Sequence, residues 1–136
     1  MIALAIMAIV AALAWPALQE AVQKSRRADA MSALANIMQA QERWRANRPL
    51  YQATLADLVG ASSAQSPDGH YDLSLVEGSI TATSYTAQAT ARSSSPQTDD
   101  TKCRTLQVVV AGGTITYRSL NSGAGVNALP DPCWVR

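Results

Sequence analysis

The segment Met1–Leu18 reads MIALAIMAIVAALAWPAL and carries no charged side chain. No other feature narrows the fold as much. A helix rises about 1.5 Å per residue, so this run spans about 27 Å, close to the hydrocarbon thickness of a bilayer. Three structures compete for it. A cleaved signal peptide opens with basic residues and ends at a small-residue cleavage site. Here no Lys or Arg precedes the run, and Trp15-Pro16 stands where cleavage would fall. A buried core helix seldom goes so long without charge at a terminus. Residues 1–18 are therefore read as a membrane-inserted helix. Pro16 removes a backbone hydrogen bond and crowds the preceding turn, so a kink is expected there.

The helical pattern resumes beyond Pro16. Leu18, Val22, Met31, Leu34, Ile37, Met38 and Trp44 recur mostly at three- and four-residue steps or their multiples, with polar residues between them. That is one apolar face on an amphipathic helix, predicted over 19–48 and ended by Asn47 and Pro49. Frequent Ala favours the helix. The charge is uneven. Residues 19–48 hold Lys24, Arg26, Arg27, Arg43, Arg45 and Arg48 against Glu20, Asp29 and Glu42, a net of +3. Residues 49–136 hold five bases and seven acids, a net of −2. A basic stalk thus carries a slightly acidic head. Lys24-Ser25-Arg26-Arg27 reads either as a solvated face or as a contact for lipid headgroups or a neighbouring head.

Residues 49–69 form a connecting segment. Leu55, Leu58 and Val59 give a short helical turn closed by Gly60; Ser62, Ser63, Ser66 and Pro67 mark a loop, and Asp68-Gly69 is a turn. Residues 70–136 read as a β head. Strands are expected at His70–Val76, at 79–92, at Thr105–Val110 and at Thr114–Leu120. Gly112-Gly113 supplies the hairpin turn. The segments Ser93–Thr101 and Asn121–Asn127 read as loops. The fold class is α+β: a long N-terminal helix packed on a four-stranded antiparallel sheet. Leu34, Ile37, Met38 and Trp44 should lie beneath the sheet.

Cys103 and Cys133 fit no common zinc spacing, and His70 is the single histidine. Such a pair behind an apolar N-terminus suggests an oxidising compartment. Joined, they close a loop of about 31 residues, valued at roughly 3–4 kcal/mol; the other reading is two free buried thiols. No catalytic cluster is visible, so the chain is not expected to be an enzyme, and no cofactor or metal is expected. His70 lacks triad partners. Ser93-Ser94-Ser95 reads as a solvated loop. Asp99, Asp100 and Asp131 lack ordered calcium-ligand spacing and read as loop solvation. Gly112-Gly113 lacks the helix and lysine of a phosphate loop.

The stretch MIALAIMAIVAALAWPALQEAVQKSRRADAMSALANIMQAQERW resembles the N-terminus of type IV pilins. In it an apolar run and an aromatic-Pro pair precede a Gln/Glu-rich amphipathic helix with a Ser-Arg-Arg-Ala element. The Cys103–Cys133 pair and the Cys133-Trp134 ending resemble a subgroup of minor pilins. In that subgroup a disulfide pins the C-terminal loop to the sheet. The family usually reads Gly-Phe-Thr-Leu-Ile-Glu-Leu just before the position of Met1. The expectation is therefore that the chain starts at an internal methionine, and peptidase processing and N-methylation have no assigned residue. The resemblance implies a subunit of a type IV pilus, acting in pilus assembly, adhesion or twitching motility. It implies other pilin subunits as partners through the N-terminal helix, together with the inner membrane and the assembly machinery. It also implies a single-pass inner-membrane protein with a periplasmic head, later part of an extracellular filament. Lys24, Arg26 and Arg27 follow the apolar run, which by the positive-inside rule alone would put that side in the cytoplasm. The resemblance puts it outside.

Two alternatives remain open. One is a pseudopilin of type II secretion, many of which lack a disulfide. The other is a minor pilin that captures DNA. DNA capture needs an exposed basic patch, for which Lys102, Arg104 and Arg118 are the candidates. The head's net charge of −2 weighs against it.

Overall fold

A computed structural model of the chain describes residues 2–60 and 64–134, with side chains of the first helix given at Met7, Ala12 and from Ala14 onward. Ser62, Ser63 and Arg136 lie outside the described residues. So do most of the side chains on which the membrane reading of residues 1–18 rests. Among the described residues no helix is long and apolar enough to cross a membrane.

Helix α1 (Ile2–Arg45) contains Pro16 within its span and continues through it. It ends short of the expected residue 48. Pro49 disfavours α conformation at Arg48, and the chain tightens instead: Asn47 N–H donates to Trp44 O and Arg48 N–H to Arg45 O. A short α2 (Leu55–Val59) follows, closed by Gly60, whose φ of 93° suits glycine. Strands β1 (Tyr71–Leu75), β2 (Ser84–Ala91), β3 (Thr105–Ala111) and β4 (Thr114–Leu120) form one antiparallel sheet in that order. Gly112 and Gly113 both take positive φ, the requirement of a tight primed turn between β3 and β4.

Strand β2 begins five residues later than the sequence suggests. Hydroxyl groups capture the backbone there before it can pair. Ser79 Oγ donates to Val76 O, and Thr81 Oγ1 accepts from the N–H groups of Thr83 and Ser84. Ser and Thr offer this local alternative to a ladder wherever the chain turns.

The core lies between α1 and one face of the sheet. Ala30, Ala33, Leu34 and Ile37 meet Tyr71, Leu73, Tyr85, Ala87, Ala89, Ala91, Leu106, Val108 and Val110. The inward residues of β2 are mostly alanine, so the helix can lie close over that strand. Two core expectations need correction. Met38 is only partly buried, at the core margin. Trp44 is half-buried and outside the core; the Arg48 guanidinium lies 3.7 Å from its ring centroid. The chain turns after Arg45, which brings the Arg48 guanidinium back over the Trp44 ring in a cation–π contact.

Gln41 is fully buried on α1 and acts as a surrogate strand. Its Nε2 donates to Gln52 O (2.8 Å), and its Oε1 accepts from Gln52 N–H (2.9 Å). Both backbone groups of Gln52 thus depend on one side chain. Replacing Gln41 by Leu should cost about 1–3 kcal/mol, the penalty for stranding buried polar groups. Gln39→Leu, on the exposed face, should be close to neutral. Urea unfolding of the detergent-solubilised chain checks the contrast.

Candidate functional site

The stalk and the head meet at a buried charge cluster. Arg27 donates from Nε (2.6 Å) and Nη2 (3.1 Å) to the Asp100 carboxylate, and Asp100 is 3% exposed. Gln97 Nε2 also donates to Asp100 (2.9 Å), as does the Cys103 N–H (3.3 Å). A 3₁₀ turn, Pro96–Asp99, presents these groups. The Ser95 hydroxyl caps it by accepting from Gln97 N–H, and it also meets His70 Nδ1 at 2.9 Å. Asp100 is therefore no solvating loop residue, Ser95 is buried rather than solvated, and Arg27 is not on an open basic face. A proline and a serine fold this segment into a turn, and the turn buries the acid.

The Tyr71 hydroxyl lies against the same cluster. The Gln97 carboxamide approaches it without closing a hydrogen bond of good geometry, which leaves Tyr71 OH and Gln97 Oε1 unpartnered. Burial raises the Tyr71 phenol well above its usual range, and the nearby Asp100 charge adds to this. Burial does the same for Tyr85, with Glu42 contributing.

Cys103 and Cys133 form a disulfide, and both are buried. The C-terminal segment is tied to the sheet in several further ways. Asp131 accepts from the Ser119 hydroxyl and from Cys133 N–H. Asn127 Nδ2 donates to Lys102 O, and Trp134 Nε1 donates to Arg118 O (2.9 Å). The Trp134 and Tyr117 rings pack at 4.7 Å between centroids. Beside them, Met31, Met38, Tyr117, Leu129 and Trp134 line an open groove of about 940 Å³.

The three candidate cations do not form one cluster. Lys102 is exposed next to the disulfide. Arg104, just before β3, donates to Thr98 O. Arg118 donates to Gln107 Oε1 from the sheet face that points away from α1. Strand alternation puts Arg104 and Arg118 on opposite faces. Asp99, Asp100 and Asp131 also do not converge. Among the described residues no group of acids, cysteines and histidine could hold a metal ion.

The solvent face carries a row that sequence reasoning missed. Ser74, Gln88, Gln107 and Arg118 stand at one level on four consecutive strands. Each hydrogen-bonds the next: Gln88 Nε2 to Ser74 Oγ (3.1 Å), Gln107 Nε2 to Gln88 Oε1 (2.9 Å), Arg118 Nε to Gln107 Oε1 (2.7 Å). The signal was the polar residue at an outward position in each strand. Only the register shows that the four residues align.

A family profile described as "Type IV minor pilin ComP, DNA uptake sequence receptor" matches residues 16–107. That range takes in Arg27, Asp100, Lys102 and Arg104 and stops before Arg118 and Cys133. No curated protein matches the chain.

The tyrosines set an alkaline limit. A phenol whose folded pKa is raised keeps its full contribution to stability below the usual value of about 10 and loses it as pH rises above that. Stability should therefore fall above about pH 10, by up to about 1.4 kcal/mol per pH unit for each buried phenol. Tyr71→Phe removes an unpartnered hydroxyl, so it should cost little at pH 8 and make the decline shallower. Urea midpoints at pH 8 and pH 11 provide the comparison.

Proposed function

From the premise that the chain belongs to the family of the type IV minor pilin ComP, DNA uptake sequence receptor, we propose that its head binds DNA for uptake. The family match carries this reading. It also reverses the weighting that net charge gave, and the structure supplies the reason. A charge count treats every carboxylate as outward. Asp100 is buried and neutralised by Arg27 from the stalk, Asp72 pairs with Arg92 at 3.1 Å, and Asp131 is engaged by the Ser119 hydroxyl. Among the described residues, Lys102, Arg104 and Arg118 have no carboxylate within 4.0 Å. The head's exposed field is less acidic than −2 implies, and phosphate contacts need only local positive charge.

Membership in a pilin family also supports an assembly role through α1, with inner membrane and pilus as the places of residence. One observation favours helix-to-helix packing. Ala14, Ala17, Ala21, Ser25, Ala28, Ser32 and Ala35 are all exposed. At about 100° per residue they share a stripe opposite Ala30, Leu34 and Ile37. Small side chains let a neighbouring helix approach closely. The head is read as a binding module and not as a catalyst.

Binding of the full chain in detergent micelles to a fluorescein-labelled 20-base-pair duplex tests the proposal. Anisotropy should show binding at 50 mM salt that weakens at least tenfold at 200 mM, the signature of released counterions. No binding at 50 mM salt would contradict it.

A further inference from the structure

Resting on that reading, we propose that DNA phosphates dock on the outer face of the sheet, the face away from α1, with Arg118 as the anchor. Phosphate capture needs a cation that is held still, has free donors and has no competing carboxylate. Arg118 meets all three conditions.

The holding comes from both sides of the residue. Its Nε is fixed by Gln107 at 2.7 Å, and Gln107 is itself 6% exposed and tied through Gln88 to Ser74. Its carbonyl is pinned by the Trp134 indole at 2.9 Å. An arginine on an edge strand would ordinarily sample many rotamers, and ordering them on binding costs affinity. Here the Gln107 bond supplies part of that ordering before any ligand arrives.

The donors are free at the outer end. Among the described residues, neither Nη1 nor Nη2 of Arg118 has a protein partner. Two parallel N–H groups match two oxygens of one phosphate, a geometry that lysine cannot copy.

The surroundings are favourable too. The outward face of the sheet around Arg118 is mostly hydroxyls and carboxamides, with Asp72, Val109, Ala111 and Leu120 as the exceptions. Asp72 is the one acid among them and is paired with Arg92. The hydroxyl and carboxamide groups supplement arginine on phosphate oxygens.

The test measures binding of the full chain to two labelled 20-base-pair duplexes of unlike sequence across 50–200 mM salt. Arg118→Gln should weaken both duplexes by a similar factor of about ten or more, and the slope of log affinity on log salt should shrink by about one. Gln107→Leu leaves the charge and removes its hold, so affinity should fall severalfold with the slope unchanged. If Arg118→Gln melts out of the range of the unsubstituted chain, Arg118→Lys decides: a loss of threefold or more supports the anchor, and equal affinity overturns it. A folded Arg118→Gln chain that binds within twofold, with an unchanged slope, overturns the docking face and leaves DNA binding standing. An unsubstituted chain that binds neither duplex overturns both.

Discussion

The ion pair between Arg27 and Asp100 holds the stalk to the head at the point where the head's irregular segments converge. Charges are costly to bury, and a buried pair persists only with near-ideal geometry and further hydrogen bonds. Asp100 has both. It accepts two bonds from the guanidinium, one from Gln97 and one from Cys103 N–H. Through Cys103 the pair adjoins the disulfide, and through Gln97 it adjoins Tyr71 and β1. Removing either charge would leave the other buried and alone. The helix is thereby clamped to the segment between β2 and β3, and not just laid across the sheet by apolar contact.

That clamp sets where the rest of the head faces. The sheet covers α1 with alanines and two tyrosines and turns its hydroxyls and carboxamides outward. The disulfide, the Ser119–Asp131 contact and the Trp134–Arg118 bond hold the C-terminal segment against β4. The small-residue stripe of α1 stays open on the opposite side. The exposed stripe and the outer face of the sheet are separate surfaces, one for the helix packing and the other for the polar ligand proposed above. The two do not compete, because they lie on opposite sides of the helix–sheet pair.

The sequence exposes local features well and long-range ones poorly. Strands β3 and β4 and the Gly112-Gly113 turn follow from alternation and from the need for positive φ. The short helix before Gly60 follows from its apolar spacing. The Ser79–Thr83 turn was missed because Thr/Ala composition suits a strand until the hydroxyls are seen to bond locally. Arg27 and Asp100 stand 73 positions apart; Asp100 reads as loop solvation, and Arg27 as part of a solvated face or of a contact for lipid or a neighbouring head. Nothing near either residue announces the other. The row from Ser74 to Arg118 was invisible for a related reason: its members are ordinary polar residues until the register aligns them. Net charge is blind in the same way, since it counts Asp100 as though it faced water.

A double-substitution cycle on Arg27 and Asp100 tests the clamp most directly. Urea unfolding would be measured for Arg27→Met, for Asp100→Leu and for the chain carrying both. Each single change is predicted to cost about 3–5 kcal/mol, and the pair together far less than the sum, because no charge is then stranded. Losses that simply add, or single losses below about 1 kcal/mol, would show that the pair is incidental and that apolar packing alone holds the stalk to the head.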